Sequence, residues 1–180
     1  MFKTKNPLLL VPFKYGALGS ALSILSLVVL YYMGRHPLLL SPVLDARIPL
    51  YALITFISFK VYKDQYSWGV MHFWQGMVMG MIAYTVMALG AAFFIYVFSD
   101  ISSTHFLEEY IRIATSQLVN NKELFIETIG EKTYIDTLAQ LPKTKSIHLA
   151  VDYLLKSMPI GLFLTLILSV LLRNKESTNE

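Results

Sequence analysis

Residues 70–98 read VMHFWQGMVMGMIAYTVMALGAAFFIYVF, without a single Asp, Glu, Lys or Arg. As one helix the segment would extend roughly 43 Å. A bilayer's hydrocarbon core is about 30 Å thick. The stretch therefore reads as a membrane-spanning helix that must tilt or project beyond the lipid at one end. His72 and Gln75, flanked by Trp68 and Trp74, mark the interfacial end, because indoles favour the headgroup level. These four residues are the candidate interfacial site.

Three more apolar stretches surround it. Residues 15–34 carry no charge and are stopped by Gly34, Arg35, His36 and Pro37. A second stretch, 48–59, is shorter. Its uncharged part covers roughly 18 Å, and snorkelling of Arg47 and Lys60 lengthens it to about 47–63. Pro49 suits a first helical turn; an interfacial or re-entrant segment is the alternative. The fourth span, 157–172, belongs to a helix over 146–173 carrying an Asp152–Lys156 pair at i,i+4. Pro159 is expected to kink or terminate the first part of that helix.

Composition agrees. The chain is 55% hydrophobic and 15% charged, with mean hydropathy +0.54, where soluble domains carry about 25% charged residues. Absence of cysteine removes disulfides, thiolate chemistry and Cys-based metal sites. The net charge of +3 forms no basic stripe, which argues against nucleic-acid binding. The N-terminus has the charge of a signal peptide, but Pro12 and Lys14 interrupt its first apolar run. The run then continues far beyond a typical signal core, so an uncleaved first span is expected.

Residues 99–150 read as an extramembrane helical segment. Ser103 or Thr104 can cap a helix carrying Phe106, Leu107, Tyr110 and Ile111. Asn120 or Asn121 starts a second, with Leu124, Phe125 and Ile129, stopped by Gly130. A third carries Tyr134, Ile135, Leu138 and Leu141 and ends at Pro142. Each is too short to be stable alone in water, so all three must dock on each other, on lipid or on another protein. The expected fold is thus all-α: a single polytopic membrane domain over 1–180, with four transmembrane helices and a helical extramembrane segment between the third and fourth.

Small residues recur at helical spacing. Gly69, Phe73, Gly76, Gly80, Ala83, Met87, Gly90 and Phe94 form one stripe, and Gly16, Ser20, Ser23 and Ser26 form another. Close backbone approach drives helix association in lipid. The two stripes are expected to pack the first and third spans together, with self-association as the second use. Met71, Met77, Met79, Met81 and Met87 read as adaptable packing.

Candidate chemistry is sparse. His36, His105 and His148 read as exposed or interfacial, and none of the four histidines forms a metal-binding motif. No ionisable residue lies deep in a span, which argues against a proton-coupled transporter acting alone. Glu108 and Glu109 are adjacent and diverge on a helix, unlike an acid/base pair. No catalytic residue, metal or cofactor is assigned.

Tyr62-Lys63-Asp64, Gly69, Phe73, Gly76 and Gly80, followed by a THFLEEYIR-type helix, resemble domain of unknown function 4199 across nearly the whole chain. These are integral membrane proteins of Bacteroidota, so the resemblance implies a multi-pass protein of the bacterial inner membrane and no particular activity. Trp68 with His72 is a heavier, more polar start to the span than the family pattern. The expected role is a non-enzymatic accessory or scaffold protein, with the lipid bilayer, a second copy or a membrane protein as partner. A small transporter or permease subunit is the alternative, and a lipid-acting enzyme using His72 a third reading. With four crossings, Lys3, Lys5, Lys14, Lys60, Lys63, Arg173 and Lys175 share one side with only Asp64, Glu176 and Glu180. The excess of basic residues near span ends places the termini in the cytoplasm.

Overall fold

The structure is a computed structural model that describes residues 6–39, 47–101 and 105–174. It contains α1 (Pro7–Tyr32), α2 (Arg47–Tyr66), α3 (Phe73–Asp100), α4 (Phe106–Asn120), α5 (Lys122–Ile129), α6 (Glu131–Gln140), a 3₁₀ turn (Leu141–Lys143) and α7 (Ser146–Leu172). Among the described residues there is no strand. Three helices, α1, α3 and α7, are long and apolar enough to cross a membrane. The shorter α2, with Arg47, Lys60, Lys63 and Asp64, is not among them.

Pro12 and Pro159 both lie inside continuous helices, so Pro159 does not terminate the first part of its helix. Pro12 is buried inside α1, which starts at Pro7 and so reaches well before residue 15. Lys14 lies on its exposed side. Pro159 sits within an unbroken α7. Each proline removes one backbone donor from the helical ladder, and the tertiary packing of these long apolar helices outweighs that loss.

α3 is the centre of the bundle. It runs antiparallel to α7, and the two meet at matched four-residue steps. A Cβ built on Gly76 would lie 2.7 Å from Ser169 Oγ, one on Gly80 2.3 Å from Thr165 Cγ2, and one on Gly161 2.1 Å from the Tyr84 ring. Real Cβ atoms essentially never approach this closely, so glycine on one helix is what admits the side chain of the other. α1 packs on the next face of α3: a Cβ on Gly16 would lie 2.8 Å from the Ala83 carbonyl, and one on Gly90 would overlap Ser20 Oγ. The sequence stripe is therefore divided. Ala83, Met87 and Gly90 meet α1, as expected, whereas Gly76 and Gly80 meet α7. A four-three spacing drifts about 20° per seven residues around a straight helix, so one stripe can serve two neighbours. Ser23 is fully buried and returns its hydroxyl to the Gly19 carbonyl (2.7 Å).

α2 lies along α1, α3 and α7 and is tied at both ends. Arg47 Nη2 donates to the Pro37 carbonyl (3.1 Å), and Lys63 Nζ donates to the Leu172 carbonyl at the end of α7 (3.2 Å). The Lys63 bond places a cation at a helix C-terminus, where the macrodipole favours it. Asn174 and Met71 exchange bonds at the same end: Asn174 N–H to the Met71 carbonyl (3.0 Å) and Met71 N–H to Asn174 Oδ1 (3.0 Å).

α4–α6 form a cap over the other end. The breaks fall at Asn121 and at Gly130, whose φ of 83° suits glycine. The capping role expected of Ser103 or Thr104 lies outside the described residues; His105 occupies the N-cap position. Phe106 is the anchor, with ring centroids 5.2 Å from Tyr31, 5.3 Å from Phe98 and 4.4 Å from His36. The upper part of α3 thus gains cover from α4 and from the first turns of α7, through Ala91, Ala92, Ile95, Phe106, Leu149 and Tyr153.

Candidate functional site

The interfacial group assigned from sequence lies in and after the turn joining α2 to α3. Trp68 (φ 53°, 98% exposed) and Gly69 (φ 78°) both occupy left-handed backbone. Gly69 has open space around it, so it is a turn residue outside the helix-packing row. Its N–H bonds the Lys63 carbonyl (2.8 Å), closing the end of α2. Gln75 Oε1 accepts the His72 N–H (2.9 Å), while Gln75 Nε2 donates to the Tyr62 hydroxyl (3.3 Å). Gln75 thus starts α3 and fastens it to α2. His72 and Trp74 point outward, and no carboxylate is bonded to this group among the described residues. The Tyr62-Lys63-Asp64 motif accordingly does architectural work, with Tyr62 holding Gln75 and Lys63 capping α7.

The histidines have separate fates. His105 Nδ1 sits 3.0 Å from Glu108, and His148 Nδ1 accepts the Lys145 N–H (3.2 Å). His36, expected to be exposed or interfacial, is 5% exposed. It packs among Tyr31, Phe106 and Tyr110, and its Nε2 donates to the Phe106 carbonyl (3.2 Å). Burial lowers its pKa, opposed by the Phe106 bond and the Glu109 charge. A depressed histidine pKa means that the folded state binds fewer protons than the unfolded chain below pH about 6.5. The cap should therefore be fully stable above that pH and weaken as pH falls towards the folded pKa. Amide exchange across 106–120 is expected to be faster at pH 5 than at pH 7.5, once corrected for intrinsic rates, and His36→Phe should flatten that dependence.

A different constellation lies beneath the cap, and sequence reading passed over it. A cavity of about 120 Å³ opens between α2 and α7, with Tyr84 and Ser157 at its base and Leu38 above. Arg47, expected to snorkel, is only 5% exposed. Its guanidinium lies 5.2 Å from the Tyr153 ring centroid, a cation–π geometry. The Tyr51 and Tyr153 hydroxyls share a 2.5 Å hydrogen bond, and Tyr84 donates to the Ser157 carbonyl. Asp152 and Lys156, joined at 2.6 Å, stand at the exposed rim. From Lys156 to Arg173 the helix rises about 26 Å, close to one hydrocarbon thickness. The cavity lies at the Lys156 end of this length. The signal was present in sequence as Arg47 and Tyr51 on α2 and Tyr84 on α3, but only the fold brings them to Tyr153 on α7.

The family model described as Protein of unknown function (DUF4199) matches residues 14–174. No curated protein and no solved structure matches the chain.

Proposed function

The chain belongs to the DUF4199 family of proteins of unknown function, and from its geometry we propose a non-enzymatic, multi-pass inner-membrane protein that holds a helical cap at the membrane surface for a partner. The observation carrying this reading is the division between a fixed base and an unpartnered outer cap. Phe106, Tyr134 and Leu141 are buried, whereas α5 buries no residue and leaves Leu124 62% exposed. Ile135 and Val119 are exposed too.

In this reading α2 is the fourth crossing. Its Arg47 end lies level with Tyr153 and its Lys63 end with Leu172, so it runs beside the membrane-length part of α7. Apolar side chains on the outer faces of the long helices, among them Leu25, Phe93, Leu155 and Phe163, meet lipid. The small-residue contacts between α3 and α7 close the lower bundle, which favours an accessory role over a permease.

Photo-crosslinking in cells is the test, with a photoreactive residue at Leu124, Ile135 or lipid-facing Phe163. A discrete protein adduct from Leu124 and Ile135, absent from Phe163, is the expected result. Solute flux in proteoliposomes with no cap adduct would overturn the reading in favour of a permease.

A further inference from the structure

We propose that the occupant of the outer cap face is a basic amphipathic helix of a partner protein, which rests on the reading of the cap as a docking surface. The exposed apolar residues there are edged by carboxylates. On α5, Leu124 is 62% exposed, with Glu123 beside it and Glu127 one turn on. On α6, which packs against α5, Ile135 is 55% exposed, with Glu131 one turn before it and Asp136 next in the chain. All four carboxylates are exposed. Over 121–140 they stand against Lys122 and Lys132 alone, and among the described residues none of the four takes part in an ion pair.

Folding of the cap does not call for all of this charge. Glu123 and Glu131 lie in first helical turns, where the macrodipole favours a carboxylate. Glu127 lies in the last turn of α5, where the same dipole disfavours it, and one turn from Glu123, a like-charged i,i+4 pair. A cation brought from outside relieves both. The border also selects the class of occupant. Helices that lie on a bilayer carry Lys and Arg around their apolar face, because anionic headgroups attract those cations; an acidic border is repelled there. A protein helix with apolar residues at i, i+3, i+4 and i+7, and Lys or Arg beside them, meets both the apolar residues and their border.

The test is photo-crosslinking of the full chain in cells from Leu124 and Ile135, followed by mass spectrometry of the partner segment around the cross-link. That segment should be helical, carry a net positive charge and space its apolar residues at three and four. Glu127→Lys together with Asp136→Lys should lower the adduct yield about tenfold, and Glu127→Gln together with Asp136→Asn should lower it less. Both pairs of changes fall on exposed side chains, where substitution leaves folding intact. Protein adducts on a neutral or acidic segment, or a yield unchanged by charge reversal, overturn the basic partner and leave the docking surface standing. Lipid adducts alone, or no adduct, overturn both.

Discussion

Replacing Gly80 with Leu is expected to destabilise the bundle by about 1–3 kcal/mol, through overpacking against a side chain that has nowhere to go. Thr165 is 1% exposed and already lies 2.3 Å from where the first added atom would sit. Gly161→Ala should behave similarly with a single methyl. Its Cβ would meet the Tyr84 ring at 2.1 Å, and moving that ring breaks the bond to the Ser157 carbonyl. In lipid the association of helices rests on such close packing, so the loss is not recovered by a general hydrophobic term. Met81→Ala is the control, because Met81 is exposed and such outward changes usually stay within about 0.5 kcal/mol. Met79, though off the glycine row, is fully buried in the cluster with Phe59 and Tyr62 and would be a poor control. Reversible unfolding in mixed micelles should rank Gly80→Leu and Gly161→Ala well below Met81→Ala; equal tolerance would mean that α3 and α7 do not meet along this row.

Phe106→Ala is expected to release the cap from the bundle. Phe106 is 3% exposed and fills the space among Tyr31, His36 and Phe98. Truncating a buried phenylalanine typically costs about 3–5 kcal/mol. Here the cost should fall locally, because α4 meets α3 and the start of α7 through the cluster that holds Phe106, Leu107 and Tyr110. Hydrogen exchange in nanodiscs should show protection lost over 106–140 while α3 keeps its own. Retained protection over 106–140 would place the anchor elsewhere in the cap.

The long helices and the three cap helices were legible in sequence because their determinants are local. An uncharged run, an asparagine and a glycine set the boundaries near residues 121 and 130. Neighbours were less legible. The Gly76–Gly80 step was visible, but its partner had to be chosen among the other spans. The matching row was present at equal spacing in Gly161, Thr165 and Ser169, and it identifies α7. His36 looked like a span terminator because its surroundings come from Phe106 and Tyr110, about seventy residues later in the chain. Arg47 looked like a snorkelling anchor because sequence shows its charge and hides the tyrosine it covers. Residues whose role depends on distant partners are the ones local pattern leaves open.

A four-crossing bundle with its cap opposite the α2–α3 turn is tested most directly by cysteine accessibility. The native chain has no cysteine, so single substitutions report without background. Trp68→Cys and Leu124→Cys both replace well-exposed residues, at opposite ends of α3. With a membrane-impermeant maleimide on intact spheroplasts, Leu124→Cys should label at once and Trp68→Cys only after permeabilisation. Labelling of both from the same side would contradict a membrane-crossing α3 and the bundle built around it.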